Sequence, residues 1–158
     1  MILVTIGTQL PFDRLIKIMD TIAPSLSDRV FAQIGNGEYR PTNIEWQPSI
    51  DANEFEGIFE KAKIIVSHAG MGTVLTAQKM KKPIIIFPRS AALGEHRNDH
   101  QMATAKQLQE RPGVYVAYGE TDLKDLLQTD LAGPLATEVE PEGRRKLVGY
   151  LKDFIQSA

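Results

Sequence analysis

The stretch that most narrows the fold of this chain is Ile64-Ile65-Val66-Ser67-His68-Ala69-Gly70-Met71-Gly72-Thr73. Its first three residues are β-branched and apolar, which is typical of a short strand buried on both faces. The small residues that follow predict a tight loop, and the pattern from residue 73 to residue 80 predicts a helix. A buried strand that enters a helix through glycines is the unit from which parallel α/β sheets are built.

The same alternation of strand and helix continues on both sides of this unit. Strands are predicted at residues 2–6, 30–34, 44–46, 64–66, 83–87 and 114–117, and helices at residues 11–22, 51–61, 73–80, 97–110 and 121–127. This order predicts an α/β fold, a doubly wound parallel sheet with helices on both faces. We expect a single domain over residues 1–158, in which residues 141–158 form a C-terminal helix.

The composition argues against several classes of function. The chain has 42% hydrophobic residues, a formal net charge of -2 and no cysteine. Because so small a net charge gives no overall attraction for nucleic acid, we expect no nucleic-acid partner. The lack of cysteine removes disulfides, thiolate nucleophiles and Cys-ligated metals. We find no signal-peptide pattern and no apolar run of membrane-spanning length, so we expect a cytoplasmic protein.

Two loops at the expected ligand-binding edge of the sheet suit a phosphate. Ligands of doubly wound sheets bind beyond the carboxyl ends of the strands. Gly70 and Gly72 permit close backbone approach before a helix N-terminus, and Gly7-Thr8 adds backbone donors and a hydroxyl. Turns and a helix cap would explain the same residues without a ligand. His68 is likewise either a buried hydrogen-bonding histidine or a site residue, and both interpretations are open from the residues alone.

The densest group of polar side chains is Gly94-Glu95-His96-Arg97-Asn98-Asp99-His100-Gln101. On a helix, His96 and His100 would share a face, and Glu95 or Asp99 would be available as a third zinc ligand. The order of these residues differs from that of known two-histidine metal helices, and we expect no metal. A helix cap would explain one of the residues but not their density.

Three segments together resemble the C-terminal, donor-binding domain of glycosyltransferase family 28. They are residues 68–73, the pair Lys82-Pro83 with the strand and Pro88 after it, and the pair His100-Gln101. The resemblance covers residues 2–130. It implies a Rossmann-like domain that corresponds to the C-terminal half of a GT-B glycosyltransferase, with a UDP-sugar as donor substrate and no cofactor.

The chain is similar in particular to the stand-alone donor subunits of two-component transferases. The similarity rests on Val4-Thr5-Ile6-Gly7-Thr8-Gln9 and Phe12-Asp13-Arg14-Leu15. These subunits include the catalytic subunit of the eukaryotic dolichol-linked N-acetylglucosaminyltransferase and the bacterial exopolysaccharide PssE-type subunit. Residues 94–101 resemble the bacterial subunit more than the eukaryotic one. The resemblance implies a hexosyltransferase subunit of exopolysaccharide or capsule synthesis, inverting and metal-independent. It would act with a membrane-associated partner that binds a polyprenyl-diphosphate-linked acceptor, at the inner face of the membrane.

The resemblance also implies roles for individual residues. The catalytic candidates are His68 and His100, and the donor-binding candidates are Gly7, Thr8, Gly70, Met71, Gly72, Thr73, Glu95, His96 and Gln101. Related domains carry a ribose-binding Glu where this chain has Thr76, and Glu95 is a candidate replacement. Thr76 keeps open the alternative of a non-catalytic subunit that stabilises or enhances the partner transferase. An epimerase or hydrolase acting on a nucleotide sugar is a third hypothesis.

Overall fold

The computed structural model describes residues 1–7, 10–96 and 98–134, so the helix predicted at residues 141–158 lies outside the described residues. Strand and helix alternate along the described chain. The strands are β1 (Ile2–Thr5), β2 (Val30–Gln33), β3 (Glu45–Gln47), β4 (Ile64–Ser67), β5 (Ile84–Ile86) and β6 (Val114–Val116), and the helices are α1 (Asp13–Ile22), α2 (Ala52–Lys61), α3 (Met71–Lys79), α4 (His100–Leu108) and α5 (Glu120–Leu127). None of these helices has the length and apolar character that a bilayer crossing requires.

The strands form one parallel sheet in the order β3-β2-β1-β4-β5-β6. The order reverses between β1 and β4, because the chain first builds β2 and β3 on one side of β1 and then returns to build the other half. The prediction of a doubly wound, Rossmann-like sheet is confirmed. Such a sheet leaves a crevice beyond the carboxyl ends of its two central strands, which is where ligands of this architecture bind.

The sheet buries apolar side chains on both faces. Val4 belongs to the layer that contains Leu15 of α1 and Leu123 of α5, whereas its neighbour Leu3 belongs to the opposite layer with Val74 of α3. Successive residues of a strand point to opposite faces. A strand covered by helices on both faces therefore needs an unbroken apolar run, which explains the sequences of β1, β4 and β5.

Helix α3 begins at Met71, two residues before the predicted start at Thr73. Gly70 occupies the N-cap position with extended backbone and provides no side chain to cap the helix. The predicted start was two residues too late because the apolar periodicity of this helix becomes recognisable only at Val74, after its first turn. The earlier start brings Gly72 into that first turn, next to the crevice between β1 and β4.

Candidate functional site

A cleft of about 290 Å³ opens at the crevice where the strand order reverses. Its walls come from the loops that follow β1, β4 and β5 and from the first turn of α3. Among the predicted site residues, the cleft brings together Gly7, His68, Gly70, Gly72, Thr73, His96 and Gln101. Ile6, Leu10 and Arg89 also line it, whereas Met71, Glu95 and His100 do not. Thr8 lies outside the described residues.

The first turn of α3 leaves backbone donors free at the cleft. The first hydrogen bond of the helix runs from the Val74 N–H to the Gly70 carbonyl at 3.2 Å, and no side chain caps the N-terminus. The N–H groups of residues 71–73 therefore have no acceptor within the described part of the chain. The positive end of the helix dipole adds to them, so this turn favours an anion.

The two glycines of the α3 loop have different surroundings. A Cβ atom on Gly70 would lie 2.5 Å from Cε1 and 2.7 Å from Nε2 of His68. A Cβ atom on Gly7, whose φ is +82°, would lie 2.9 Å from the same Nε2 atom. A Cβ atom on Gly72 would meet nothing within 4 Å. Gly7 and Gly70 thus make room for the imidazole ring, whereas Gly72 leaves open space.

Gln101 holds the imidazole of His68 in place. Its Oε1 atom accepts the backbone N–H groups of Ala69 and Arg89 at 3.3 and 3.0 Å, and its Nε2 atom lies 3.0 Å from Nδ1 of His68. Burial, with the nearby guanidinium of Arg89 and the imidazole of His96, lowers the pKa of His68 to about 4. His68 is therefore a neutral side chain at pH 7.

Acidification is expected to destabilise the fold through His68. The pKa of this side chain is about 4 in the folded state and 6.5 in the absence of the fold. Its contribution to stability is therefore complete above pH 6.5 and is lost as the pH falls towards 4, with an upper limit of about 3 kcal/mol. Urea unfolding across this range should show a smaller acid loss in His68→Asn than in the wild type. The exposed His100→Asn is the control; equal losses in all three proteins would contradict the lowered pKa.

Arg89 is a residue of the cleft that the sequence analysis missed. The residue is 3% exposed, and its Nη2 atom donates to the carbonyls of Ile6 and Leu10 at 2.6 and 2.7 Å. Among the described residues, its Nε atom has no hydrogen-bond partner and no carboxylate lies within 4 Å of the guanidinium. No pattern in the sequence marked this residue, because a single arginine after an apolar strand is usually exposed. Arg89 places a positive charge at the cleft, where among the described residues Glu95 attracts it from beyond 4 Å.

Glu95 is held away from the cleft. Its carboxylate accepts from Nε and Nη2 of Arg14 at 2.7 and 2.9 Å, and from the Ser90 N–H at 2.9 Å. The Arg14 guanidinium also lies 4.7 Å from the ring centroid of Phe87. This network ties the loop after β5 to α1. The structure thus gives Glu95 an ion-pair partner, and the ribose contact expected for it stays a prediction.

The arrangement required for the zinc hypothesis does not form. Helix α4 begins at His100 and not at residue 97, because the Asn98 side chain accepts the His100 N–H in a local turn. His96 therefore precedes the helix and shares no helical face with His100, which is exposed. Across the described ranges, no three His, Cys, Asp or Glu residues are grouped to hold a metal ion. His96 instead lines the cleft, where its buried Nδ1 atom has no partner among these residues.

A second pocket of about 340 Å³ adjoins the cleft and is more apolar. It lies beyond β1 and β2 and is lined by Thr5, Gly7, Gln33, Ser49, Ile50, Ala52, Phe55 and Thr73. Gly7 and Thr73 line both spaces, so the two are neighbours. Gln33 is fixed in its wall by hydrogen bonds to the Thr5 hydroxyl and to the backbone around it. The sequence analysis did not predict this pocket.

Comparison with known proteins gives a consistent set of relatives. Residues 1–141 match the family model described as the glycosyltransferase family 28 C-terminal domain. A protein of Cryptococcus neoformans named UDP-N-acetylglucosamine transferase subunit ALG13 is 33% identical over 104 residues, which are 64% of this chain and 50% of the relative. Its namesake in Yarrowia lipolytica is 27% identical over 135 residues, which are 77% and 66% of the two chains. The chain thus spans between half and two thirds of these relatives.

Solved structures share the fold at low sequence identity. The NMR structure of ALG13 has a TM-score of 0.59 and 16% identity, with 84% of this chain and 88% of that chain covered. The crystal structure of MurG from Acinetobacter baumannii has a TM-score of 0.57 and 21% identity, with 99% and 52% covered. At such identities the likeness concerns the fold alone.

Proposed function

Because the chain belongs to the family of glycosyltransferase family 28 C-terminal domains, we propose that its cleft binds the diphosphate of a UDP-sugar. The observation that carries this proposal is the meeting of two cationic features in one cleft. Among the described residues, no Asp or Glu lines the cleft beside the N–H groups of the α3 turn, and the buried Arg89 adds a positive charge with no carboxylate within 4 Å. Glu95 attracts this charge only from beyond that distance. A diphosphate is the part of the donor that such a site complements.

The adjoining apolar pocket suits the base of the nucleotide. Ile50 and the partly buried Phe55 offer apolar surface next to the fixed amide of Gln33. Because Gly7 and Thr73 line both spaces, a ribose lying across them would join a base in this pocket to phosphates in the cleft. Thr76 stands where related domains carry the ribose-binding Glu, and its hydroxyl donates to the Gly72 carbonyl at 2.9 Å. Glu95 remains the proposed replacement for the ribose contact.

The same groups suit the transfer of a sugar from UDP. Negative charge develops on the leaving diphosphate, and preorganised N–H donors and a buried guanidinium stabilise it without reorganisation. The proposed reaction is therefore inverting transfer of a hexose that does not require a metal ion. A catalytic role for His68 is to donate to the leaving group. A role for the exposed His100 would require the acceptor to approach the start of α4.

A partner is part of the proposal. The relatives are named as transferase subunits, and we infer that a membrane-associated subunit supplies the acceptor, a polyprenyl-diphosphate-linked glycan of exopolysaccharide or capsule synthesis. The chain would then work at the cytoplasmic face of the membrane. The alternative is a non-catalytic subunit that stabilises or enhances its partner, which Thr76 in place of the expected ribose-binding Glu favours. N-acetylglucosamine and glucuronate are the sugars to be compared first.

Calorimetric titration of the purified chain tests the proposed function. UDP, UDP-N-acetylglucosamine, UDP-glucuronate and ADP are titrated with EDTA and again with Mg²⁺. We expect UDP and one UDP-sugar to bind, ADP to bind more weakly, and Mg²⁺ to leave the affinities unchanged. Absence of binding by UDP and every UDP-sugar would refute the donor cleft. Binding without transfer, once the partner and a lipid-linked acceptor are added, would support the non-catalytic alternative.

A further inference from the structure

We propose that Gln101 is a positioning residue that fixes His68 in the tautomer with hydrogen on Nε2, so that the cleft presents an N–H group to a bound phosphate. The tautomer is a property of the free protein. Only the last step, the contact with phosphate, rests on the proposed function.

The first step of the argument concerns the orientation of the Gln101 amide. The side chain is 8% exposed and lies between the ends of β4 and β5. The N–H groups of Ala69 and Arg89 both donate to its Oε1 atom, at 3.3 and 3.0 Å. A flipped amide would turn its NH₂ group towards these two donors and leave both without an acceptor, which is costly for buried groups. The backbone of the two strand ends therefore decides which way the amide points.

The second step concerns the proton of His68. With the amide so oriented, its Nε2 atom donates to Nδ1 of His68 at 3.0 Å. A neutral imidazole carries a single N–H, so an Nδ1 atom that accepts leaves the hydrogen on Nε2. The Nε2 atom of His68 lies against the two positions without side chains, Gly7 and Gly70, where Cβ atoms would be 2.9 and 2.7 Å away. The glycines thus keep this N–H uncovered.

The charged surroundings support a single proton on His68. Arg89 at the end of β5 and His96 in the loop before α4 both disfavour a second proton, as does the positive end of α3. The imidazole is then a fixed neutral donor at pH 7. The Oε1 atom of Gln101 and one of its two amide hydrogens are already used in these hydrogen bonds. Because only the second amide hydrogen remains for direct contact with a sugar, we expect Gln101 to act mainly through His68.

The tautomer is tested in the free protein by NMR with labelled histidine and glutamine side chains. We expect a protonated Nε2 atom and a bare Nδ1 atom on His68, with a scalar coupling across the hydrogen bond from Gln101. Gln101→Glu keeps the shape and the acceptor for both backbone N–H groups but cannot donate. Its second oxygen should draw the proton of His68 to Nδ1, and the tautomer should reverse. Gln107→Glu, on the exposed side of α4, is the matched control and should change nothing.

The consequence for phosphate is tested by UDP affinity as a function of pH. The ratio of variant to wild-type affinity is used because the titration of UDP itself, near about pH 6, then cancels. In Gln101→Glu we expect a loss of about tenfold or more at high pH, since a lone pair then faces the phosphate. The loss should shrink on acidification, because the imidazolium form of the variant carries hydrogen on both nitrogens. Gln107→Glu should give a ratio near one throughout.

The outcomes separate the two proposals. A wild-type His68 with its hydrogen on Nδ1, or an unchanged tautomer in Gln101→Glu, would overturn the positioning role. So would a loss of UDP affinity that does not vary with pH, because that result describes a purely structural glutamine. Failure of UDP to bind the wild type would remove the proposed function while the NMR result still decides the tautomer. If Gln101→Glu does not fold, the coupling from Gln101 to His68 in the wild type decides it.

Discussion

Replacing Gly70 with alanine is expected to weaken UDP binding by about 10- to 100-fold and to cost about 1–3 kcal/mol of stability. The new Cβ atom would lie 2.5 Å from Cε1 of His68 and would push the imidazole out of its place. The affinity falls because the displaced ring no longer donates to the charged phosphate. The backbone does not oppose alanine, since φ is -102° at this residue. Calorimetry with UDP and urea unfolding measure the two effects.

Gly72 and His68 provide the controls for this substitution. Gly72→Ala meets no atom within 4 Å and replaces a helical glycine, so it should raise stability by about 0.5–1 kcal/mol. In a His68→Ala background the added methyl group at Gly70 has no ring to displace, and Gly70→Ala should then cost little stability. If Gly70→Ala lowers the free energy of unfolding equally in the wild type and in the His68→Ala background, the clash is not with His68.

Replacing Arg89 with methionine is expected to cost about 2–4 kcal/mol of stability and to weaken UDP binding by about 100-fold or more. The carbonyls of Ile6 and Leu10 lose their shared donor, which holds both ends of the loop after β1. The cleft also loses the positive charge that complements the diphosphate. Urea unfolding and calorimetry on the folded variant measure the two losses.

Two further arginine variants make this experiment specific. Arg89→Lys keeps the charge but not the planar fork, so it should retain part of the affinity and less of the loop stability. Arg111→Met removes a half-buried arginine whose hydrogen bond goes to Gln78 at 3.0 Å, away from the cleft. It should cost less than about 1 kcal/mol and leave UDP affinity unchanged. An Arg89→Met protein that folds and binds UDP like the wild type would take Arg89 out of the site.

The strands and the architecture could be predicted because their causes are local. The central strands β1, β4 and β5 are short, largely apolar and fully buried, and a buried parallel strand requires that pattern. The edge strand β3 is polar and partly exposed, and it was predicted from the break at Pro48 that follows it. The starts of α3 and α4 were less predictable. The first turn of α3 has no capping side chain and begins before its apolar periodicity, and the start of α4 depends on a turn made by Asn98.

The cleft lies at the edge of the sheet where the sequence predicted a ligand, but several of its details were not predicted. The glycine loop and the edge of the sheet follow from the order of elements, and the cleft lies there. From the polar segment at residues 94–101, the sequence analysis named Glu95, His96, His100 and Gln101 as site residues. His96 and Gln101 line the cleft, whereas Glu95 pairs with Arg14, 81 residues away. Arg89 was missed because a single arginine after a strand gives no sign that it will be buried. The roles of all these residues in binding stay predictions.

The sequence by itself determined the kind of fold, its family and the edge of the sheet where a ligand would lie. Only the tertiary structure decided which polar groups are already engaged and which are free. It separated Gly70, which accommodates a ring, from Gly72, which faces open space, although the two belong to one motif. It also joined Gln101 to His68, 33 residues away. The reason is physical: secondary structure follows from neighbours along the chain, whereas the hydrogen-bond partners and burial of a side chain depend on groups that only folding brings together.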